Sequence, residues 1–162
     1  MTNILIIKHG SLGDLIQANG AIEDIKKSNL KSHVVLLTSS HYFDLMNRCP
    51  YIDEVLIDRR LPRWNLFYLY KLKKKLDSYS FTHIFDLQNS NRTKFYSKYL
   101  LNQSKWSSTQ TTLEPGQLKS NFDEGPVLKR MQMQLKKSGI KTENIKKSNL
   151  NWAVVNIRDI TK

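Results

Sequence analysis

The sequence predicts an α/β domain, a Rossmann-like parallel sheet with helices on both faces. Two patterns carry that expectation, together with one short turn. Apolar runs with no polar alternation recur as "NILIIK" (3–8), "HVVLLT" (33–38), "DEVLID" (53–58) and "THIFDLQ" (82–88), as expected of strands buried on both faces. Between them lie segments whose apolar residues return at helical spacing, and strands alternating with helices at these lengths imply right-handed crossovers. The turn is "GSLGD" (10–14), which sits where the first run gives way to the first helical pattern.

Taken in order, Asn3 to Lys8 form the first strand. Leu15, Ala18, Ile22 and Ile25 then recur at helical spacing, with Glu23, Asp24, Lys26 and Lys27 on the face expected to meet solvent. The second strand follows at 33–38. A short helix is expected around Tyr42 to Asn47, stopped at Cys49-Pro50, and a third strand spans 53–58. From Asn65 to Tyr79, Leu66, Leu69, Leu72 and Leu76 share one helical face, and Lys73, Lys74 and Lys75 stand near the C-terminal end, where cations favour the helix dipole. A fourth strand (82–88) and a helix (91–101) complete the pattern. Beyond Asn102 the polar stretch with Pro115-Gly116 and Gly125-Pro126 reads as loop or linker. A helix from Val127 to Lys137 is ended by Gly139, and an apolar patch spans Trp152 to Val155. Either this terminal segment leads toward a second domain, or it folds back on the sheet.

Length and composition narrow the function classes. The chain has 162 residues, 40% of them hydrophobic, and a mean hydropathy of −0.50, values of one globular domain. No apolar run approaches the roughly 20 residues that a spanning helix needs. No secretory leader is visible, so a cytoplasmic location is expected. The only cysteine, Cys49, cannot form an internal disulfide and reads as a small buried hydrophobe. With 26 basic against 14 acidic residues, a formal charge of +12, the chain suits an anionic partner, although scattered lysines also make an ordinary solvated surface.

In an open parallel sheet, ligands collect at the carboxyl ends of the strands, beside helix N-termini. The turn lies at such an end. Gly10 and Gly13 allow positive φ and a close ligand approach, and Ser11 can donate to an anion. "GSLGDLIQ" fits neither the dinucleotide fingerprint nor the phosphate-binding loop, which disfavours hydride transfer and nucleoside-triphosphate hydrolysis. Asp14 has two readings. An acid in a first helical turn is stabilised by about 0.3–1 kcal/mol through the dipole alone, and a carboxylate facing a cleft can also take a proton from an attacking hydroxyl. Spacing does not choose between them. Without an Asp-x-Asp, a His/Cys cluster or paired carboxylates, no metal and no cofactor is expected. His9 either touches a ligand or is structural. Gln88, Asn89 and Arg92 follow the fourth strand and reach toward the same cleft, unless Asn89 or Asn91 caps the helix.

"ILIIKHGSLGDLIQANGAIEDIKK", followed by "HVVLLTSSHYFDLMNRCPYIDEVLID" and "FDLQNSNRTKFYSKYL", resembles the N-terminal domain of the bacterial heptosyltransferases, glycosyltransferase family 9, over residues 3–102. The resemblance implies one half of a two-domain GT-B enzyme. Such an enzyme transfers heptose from ADP-heptose to the phosphorylated glycolipid acceptor of the lipopolysaccharide inner core, inverting the anomeric centre. It implies Asp14 as general base, and an acceptor site that takes in Lys8, Ser11, Gly13, Gln88, Asn89 and Arg92. Residues 1–105 would form the acceptor-side domain, and 106–162 the linker and helical connection toward a C-terminal donor domain that this chain does not contain. Lys8 stands where the family often has arginine, which removes the bidentate fork, and Gly20 where it often has proline, which should loosen the first helix.

Between Asp58 and Asp77 the chain holds seven basic residues, Arg59, Arg60, Arg63, Lys71, Lys73, Lys74 and Lys75, and no acid, with Trp64, Phe67, Tyr68 and Tyr70 interleaved. A basic segment with aromatics suits peripheral contact with an anionic inner-leaflet surface, through Arg59, Arg60, Arg63, Lys71 and Lys74. Equally, Leu66, Leu69 and Leu72 could pack on the sheet and leave the lysines solvated. The competing functions are a non-catalytic remnant and a basic nucleic-acid-binding α/β domain. No nucleic-acid module is visible, so no nucleic acid is expected as partner.

Overall fold

The computed structural model describes residues 2–147 and 149–154. Five parallel strands form one sheet in the order β3-β2-β1-β4-β5: β1 Asn3–Ile7, β2 His33–Thr38, β3 Glu54–Ile57, β4 His83–Asp86 and β5 Lys105–Ser107. From β1 the chain winds outward through β2 to β3, then returns to the other side of β1 for β4 and β5. This reversal between β1 and β4 is the crevice where open sheets of this kind take ligands.

Alternation along each buried strand divides the core in two. Ile4, Ile6, Val34, Leu36 and Phe85 face α1 (Leu12–Ser28) and α7 (Val127–Lys137), while α2 (Phe43–Met46) adds Met46 on that side. Leu5, Ile7, Val35, Leu37 and Ile84 face α3 (Leu66–Asp77) and α4 (Asn91–Tyr99), which bring Leu69, Leu72, Leu76 and Tyr96. Each fully buried aliphatic side chain of this kind stabilises the fold by about 1.5–3 kcal/mol.

Residues 102–126 are not a plain linker. They contain β5, α5 (Thr109–Thr112) and α6 (Lys119–Asp123), so the sheet continues past residue 105. β5 pairs with β4 through Ile84 and Trp106, and α7 is fastened to both strands by buried Gln134, whose Nε2 donates to Asp86 O at 3.0 Å and Ser107 O at 2.9 Å. Gly139 ends α7 with φ +79°, as expected.

The described part of the terminal segment folds back. Asp24 on α1 is 1% exposed and accepts from the backbone N–H groups of Glu143, Asn144 and Ile145 at 2.9–3.1 Å. Glu23 is buried as well, so the acidic face of α1 is covered rather than solvated. Gly20 does not loosen this helix, which runs unbroken. A Cβ at Gly20 would stand 2.4 Å from Asn144 O, so its missing side chain is what lets the returning backbone lie against α1. Trp152 packs on the same side, while Val155, the end of the expected apolar patch, lies outside the described residues.

Candidate active site

After β1 the backbone makes one more ladder bond, Lys8 N–H to Leu37 O at 3.1 Å, and then turns into α1. Ser11 is the N-cap. Its Oγ accepts from Asp14 N at 3.4 Å, and Asp14 Oδ2 accepts from Ser11 N at 2.9 Å and Ser11 Oγ at 3.2 Å, a reciprocal capping box. Gly10 and Gly13 take no positive φ; among the described glycines only Gly116 and Gly139 do. Gly10 is needed for room, since a Cβ there would lie 2.5 Å from Asp14 Cβ. A Cβ at Gly13, on the exposed first turn, would meet only Ser11 Oγ, at an ordinary 3.8 Å.

The β4 end holds this turn in place. Gln88 Oε1 accepts from His9 N at 3.0 Å and Gly10 N at 3.1 Å, so Gln88 works through the backbone of the turn. Asn89 has φ +51°, a left-handed conformation that asparagine tolerates. It joins three elements: its N–H donates to Asp86 Oδ1, its Nδ2 to Gln134 Oε1, and its Oδ1 accepts from Thr109 N at 2.7 Å. The cap of α4 is Ser90, neither Asn89 nor Asn91.

Asp14, Lys8, Gln88, Asn89, Arg130 and Gln134 line a cleft of about 210 Å³ at the crevice between β1 and β4. The Asp14 carboxyl is held below the usual carboxylate range, chiefly by the Ser11 backbone N–H, against partial burial and with help from the Lys8 charge. Lys8 is 7% exposed and its Nζ donates to Leu87 O at 3.1 Å. Burial and the Arg130 charge push its pKa down, against the pull of Asp14 and Asp86. Burial pushes the Asp86 carboxyl up, against hydrogen bonds from Thr93, Asn89 and Gln88. The cleft thus carries one accessible carboxylate beside two cations. Arg130 escaped the sequence reading because α7 showed itself as a helix but not which strand ends it covers. Among the described residues no three His, Cys, Asp or Glu side chains gather as a metal site.

Arg92 lies elsewhere. Its guanidinium donates to Arg60 O, Leu61 O and Tyr96 OH at 2.8–3.0 Å, tying down the segment after β3. Beneath it Asp58, 0% exposed, accepts from Arg60 N at 2.8 Å, from Tyr96 OH at 2.7 Å and from Tyr68 OH. His9 Nε2 stands 2.9 Å from Asp58 Oδ2, an ion-pairing distance off the line of a good hydrogen bond, so His9 is structural. Burial pushes the Asp58 carboxyl up, but the contacts from His9, Tyr68 and Tyr96 outweigh it and hold it at about 2. Cys49 is inert, its thiol pushed up to about 11 by burial.

The basic segment divides. Leu69, Leu72 and Leu76 pack inward, whereas Leu66 is 74%, Trp64 81%, Phe67 68% and Tyr70 65% exposed. Arg59, Arg60, Arg63, Lys71 and Lys74 are exposed around them, and Lys71 Nζ sits 4.3 Å from the Phe67 ring centroid. Ile57, Leu61, Phe67 and Leu72 line an apolar groove of about 410 Å³ rimmed by Arg59, Lys71 and Lys75. No helix among the described residues is long and apolar enough to cross a membrane.

No family model matches the chain. Over 60 residues, 37% of this chain, it is 40% identical to a Haemophilus influenzae protein named "Putative glycosyltransferase", of whose length they make up 17%. A glycosyl transferase of family 9 from Veillonella parvula superposes on 88% of this chain with a TM-score of 0.65 and 17% identity. E. coli heptosyltransferase WaaC, solved with ADP-2-deoxy-2-fluoro heptose, covers 93% at a TM-score of 0.64 and 12% identity, and E. coli ADP-heptose LPS heptosyltransferase II covers 96% at 0.64 and 15%. This chain spans 43%, 52% and 46% of those three proteins, about half their length. Over most of its residues the chain has the fold of the glycosyltransferase family 9 heptosyltransferases, as its sequence resemblance implies.

Proposed function

We propose that this chain is the acceptor-side half of an inverting glycosyltransferase that moves heptose, or a related sugar, from ADP-heptose to a phosphorylated glycolipid of the lipopolysaccharide inner core. The observation that carries the reading is the position of Asp14, an ionised and reachable carboxylate in the cleft at the sheet's reversal point, beside Lys8 and Arg130. In the reaction an acceptor hydroxyl attacks the anomeric carbon as the bond to the diphosphate breaks, and its proton passes to Asp14. A carboxylate held below its usual range is a weak base, so its proton arrives late, when the attacking oxygen is already acidic. Lys8 and Arg130 place positive charge where the acceptor's anionic groups or the departing diphosphate gather. Most nucleotide contacts would come from a donor-side domain.

Asp14→Asn separates capping from chemistry, because an amide oxygen still accepts from Ser11 N–H. In a protein that includes the donor-side domain, this substitution should lower transfer by about 10²–10⁴-fold with the thermal midpoint kept. Turnover within a few-fold of the parent would refute the base.

The exposed aromatics and cations of residues 57–75 support peripheral contact with an anionic lipid surface, at about 1 kcal/mol per cation near the surface. The chain should co-sediment with phosphatidylglycerol-containing vesicles, less so at high salt, and Lys71→Glu with Lys74→Glu should weaken the binding. Equal or tighter binding to an oligonucleotide would overturn this reading in favour of nucleic acid.

A further inference from the structure

The turn before α1 is gripped by three of its neighbouring strand ends. β2 and β4 flank β1 and hold the turn directly: Lys8 N–H donates to Leu37 O and Lys8 Nζ to Leu87 O, both at 3.1 Å, while Gln88 Oε1 accepts from His9 N and Gly10 N. β3 lies one place further out, beyond β2, and the His9 side chain spans that distance to put Nε2 2.9 Å from Asp58 Oδ2. Where His9 passes the end of β2, Ser39 Oγ donates to its backbone O at 3.3 Å. His9 is 1% exposed and does not line the Asp14 cleft, so it has no access to a ligand there.

Its place in the turn gives it another use. The Gly10 backbone, next in the chain, lies so close to Asp14 that a Cβ on it would meet Asp14 Cβ at 2.5 Å and Asp14 Oδ2 at 2.8 Å. Asp14 Oδ2 also accepts from Ser11 N and Ser11 Oγ. The carboxylate is therefore seated on the backbone of the two residues after His9, and a displacement of that backbone carries the carboxylate with it. Asp58 is a firm anchor for such a tether, because it is fully buried and already accepts from Arg60 N, Tyr68 OH and Tyr96 OH. We propose that His9 is a positioning residue: its contact with Asp58 fixes the Gly10–Ser11 backbone and so sets where the Asp14 carboxylate stands in the cleft. The proposal rests on reading Asp14 as the base and deepens it by naming what holds that base in place.

The test reads the Ser11 backbone amide of the ¹⁵N-labelled chain by NMR at pH 7, since that N–H donates to Asp14 Oδ2 and reports where the carboxylate sits. His9→Ala should move this resonance by at least half of the displacement that Asp14→Ala causes. His9→Gln, whose amide N–H can still donate to Asp58, should restore most of the parent position. Leu76→Val, a loss of core packing at the C-terminal end of α3, should leave it in place. Should His9→Ala fail to fold, Asp58→Asn loosens the same tether from its other end and should move Ser11 in the same direction. The double variant should move it no further than His9→Ala alone, because both changes cut one connection. A Ser11 resonance unmoved by His9→Ala, moved as far by Leu76→Val, or displaced additively in the double variant would overturn the proposal. In a protein that includes the donor-side domain, His9→Ala should lower kcat about 10- to 100-fold with KM nearly unchanged, the cost of a misplaced base. Full turnover in Asp14→Asn together with a displaced Ser11 amide in His9→Ala would sink the base and leave the tether standing, so the two failures are distinguishable.

Discussion

Asp14 and Asp58 stand just past the C-terminal ends of β1 and β3, and both hold their carboxyls below the usual range, yet the two regions are built for different ends. Asp58 is fully buried, and both its oxygens are taken by Arg60 N–H, Tyr68, Tyr96 and His9, groups from four separate segments. Asp14 is half-buried and its contacts come from Ser11 alone, all on Oδ2, so Oδ1 has no hydrogen-bond partner among the described residues. A lowered carboxyl therefore does not mark a reactive site by itself. What separates a knot from a base is whether an oxygen remains for a ligand and whether a cleft opens onto it.

The largest effect expected on stability comes from untying the knot. Asp58→Ala leaves two tyrosine hydroxyls and one backbone N–H without their acceptor, and removes the carboxylate that stands against His9. It should destabilise the fold by about 3 kcal/mol or more in urea unfolding. A loss below about 1 kcal/mol would erase the contrast with Asp14.

Acid titration sharpens the same contrast. Asp58 falls from an ordinary 3.8 to about 2 on folding, so the unfolded chain takes up its proton first as the pH drops. Its contribution, about 2 kcal/mol, is complete above pH ~4 and is lost as the pH falls toward ~2. Asp86 works in the opposite sense, since its carboxyl is pushed up on folding. The measurement is therefore the difference between the parent and Asp58→Asn, in which Asp86 cancels. The variant's acid limb should be flatter over that window, and parallel limbs would show that Asp58 is not held down.

The difference between these regions also marks how far the sequence could be read. β1 to β4 were legible because strands buried on both faces are continuous apolar runs. β5 is three residues, "KWS", at the sheet edge with Lys105 exposed, too short and polar to carry a period. Glu23 and Asp24 read as solvent-facing because helical spacing reports which residues are polar. It does not report that the backbone of 143–145 returns to cover this face and to satisfy Asp24. The same return explains Gly20, which in sequence is only a weak helix former. At the candidate site, order and resemblance pointed to the turn, Asp14 and Gln88, which do line one cleft, but the wall supplied by Arg130 and the separation of Arg92 depend on how α7 and α4 pack. His9 and Asp58 are a pair only in three dimensions.

The smallest effect concerns Asp14 as a cap. Its box with Ser11 is exposed, so Asp14→Ala should cost about 0.5–1 kcal/mol, a shift of a few degrees in the thermal midpoint. Asp14→Asn, which keeps an acceptor for Ser11 N–H, should cost less. If Asp14→Ala proved as damaging as Asp58→Ala, the first turn of α1 would be a second knot, and a carboxylate required for folding could not be tested cleanly as a base. A small loss, combined with abolished transfer in the Asn variant, would assign the oxygen left unpaired by Ser11 to the acceptor hydroxyl.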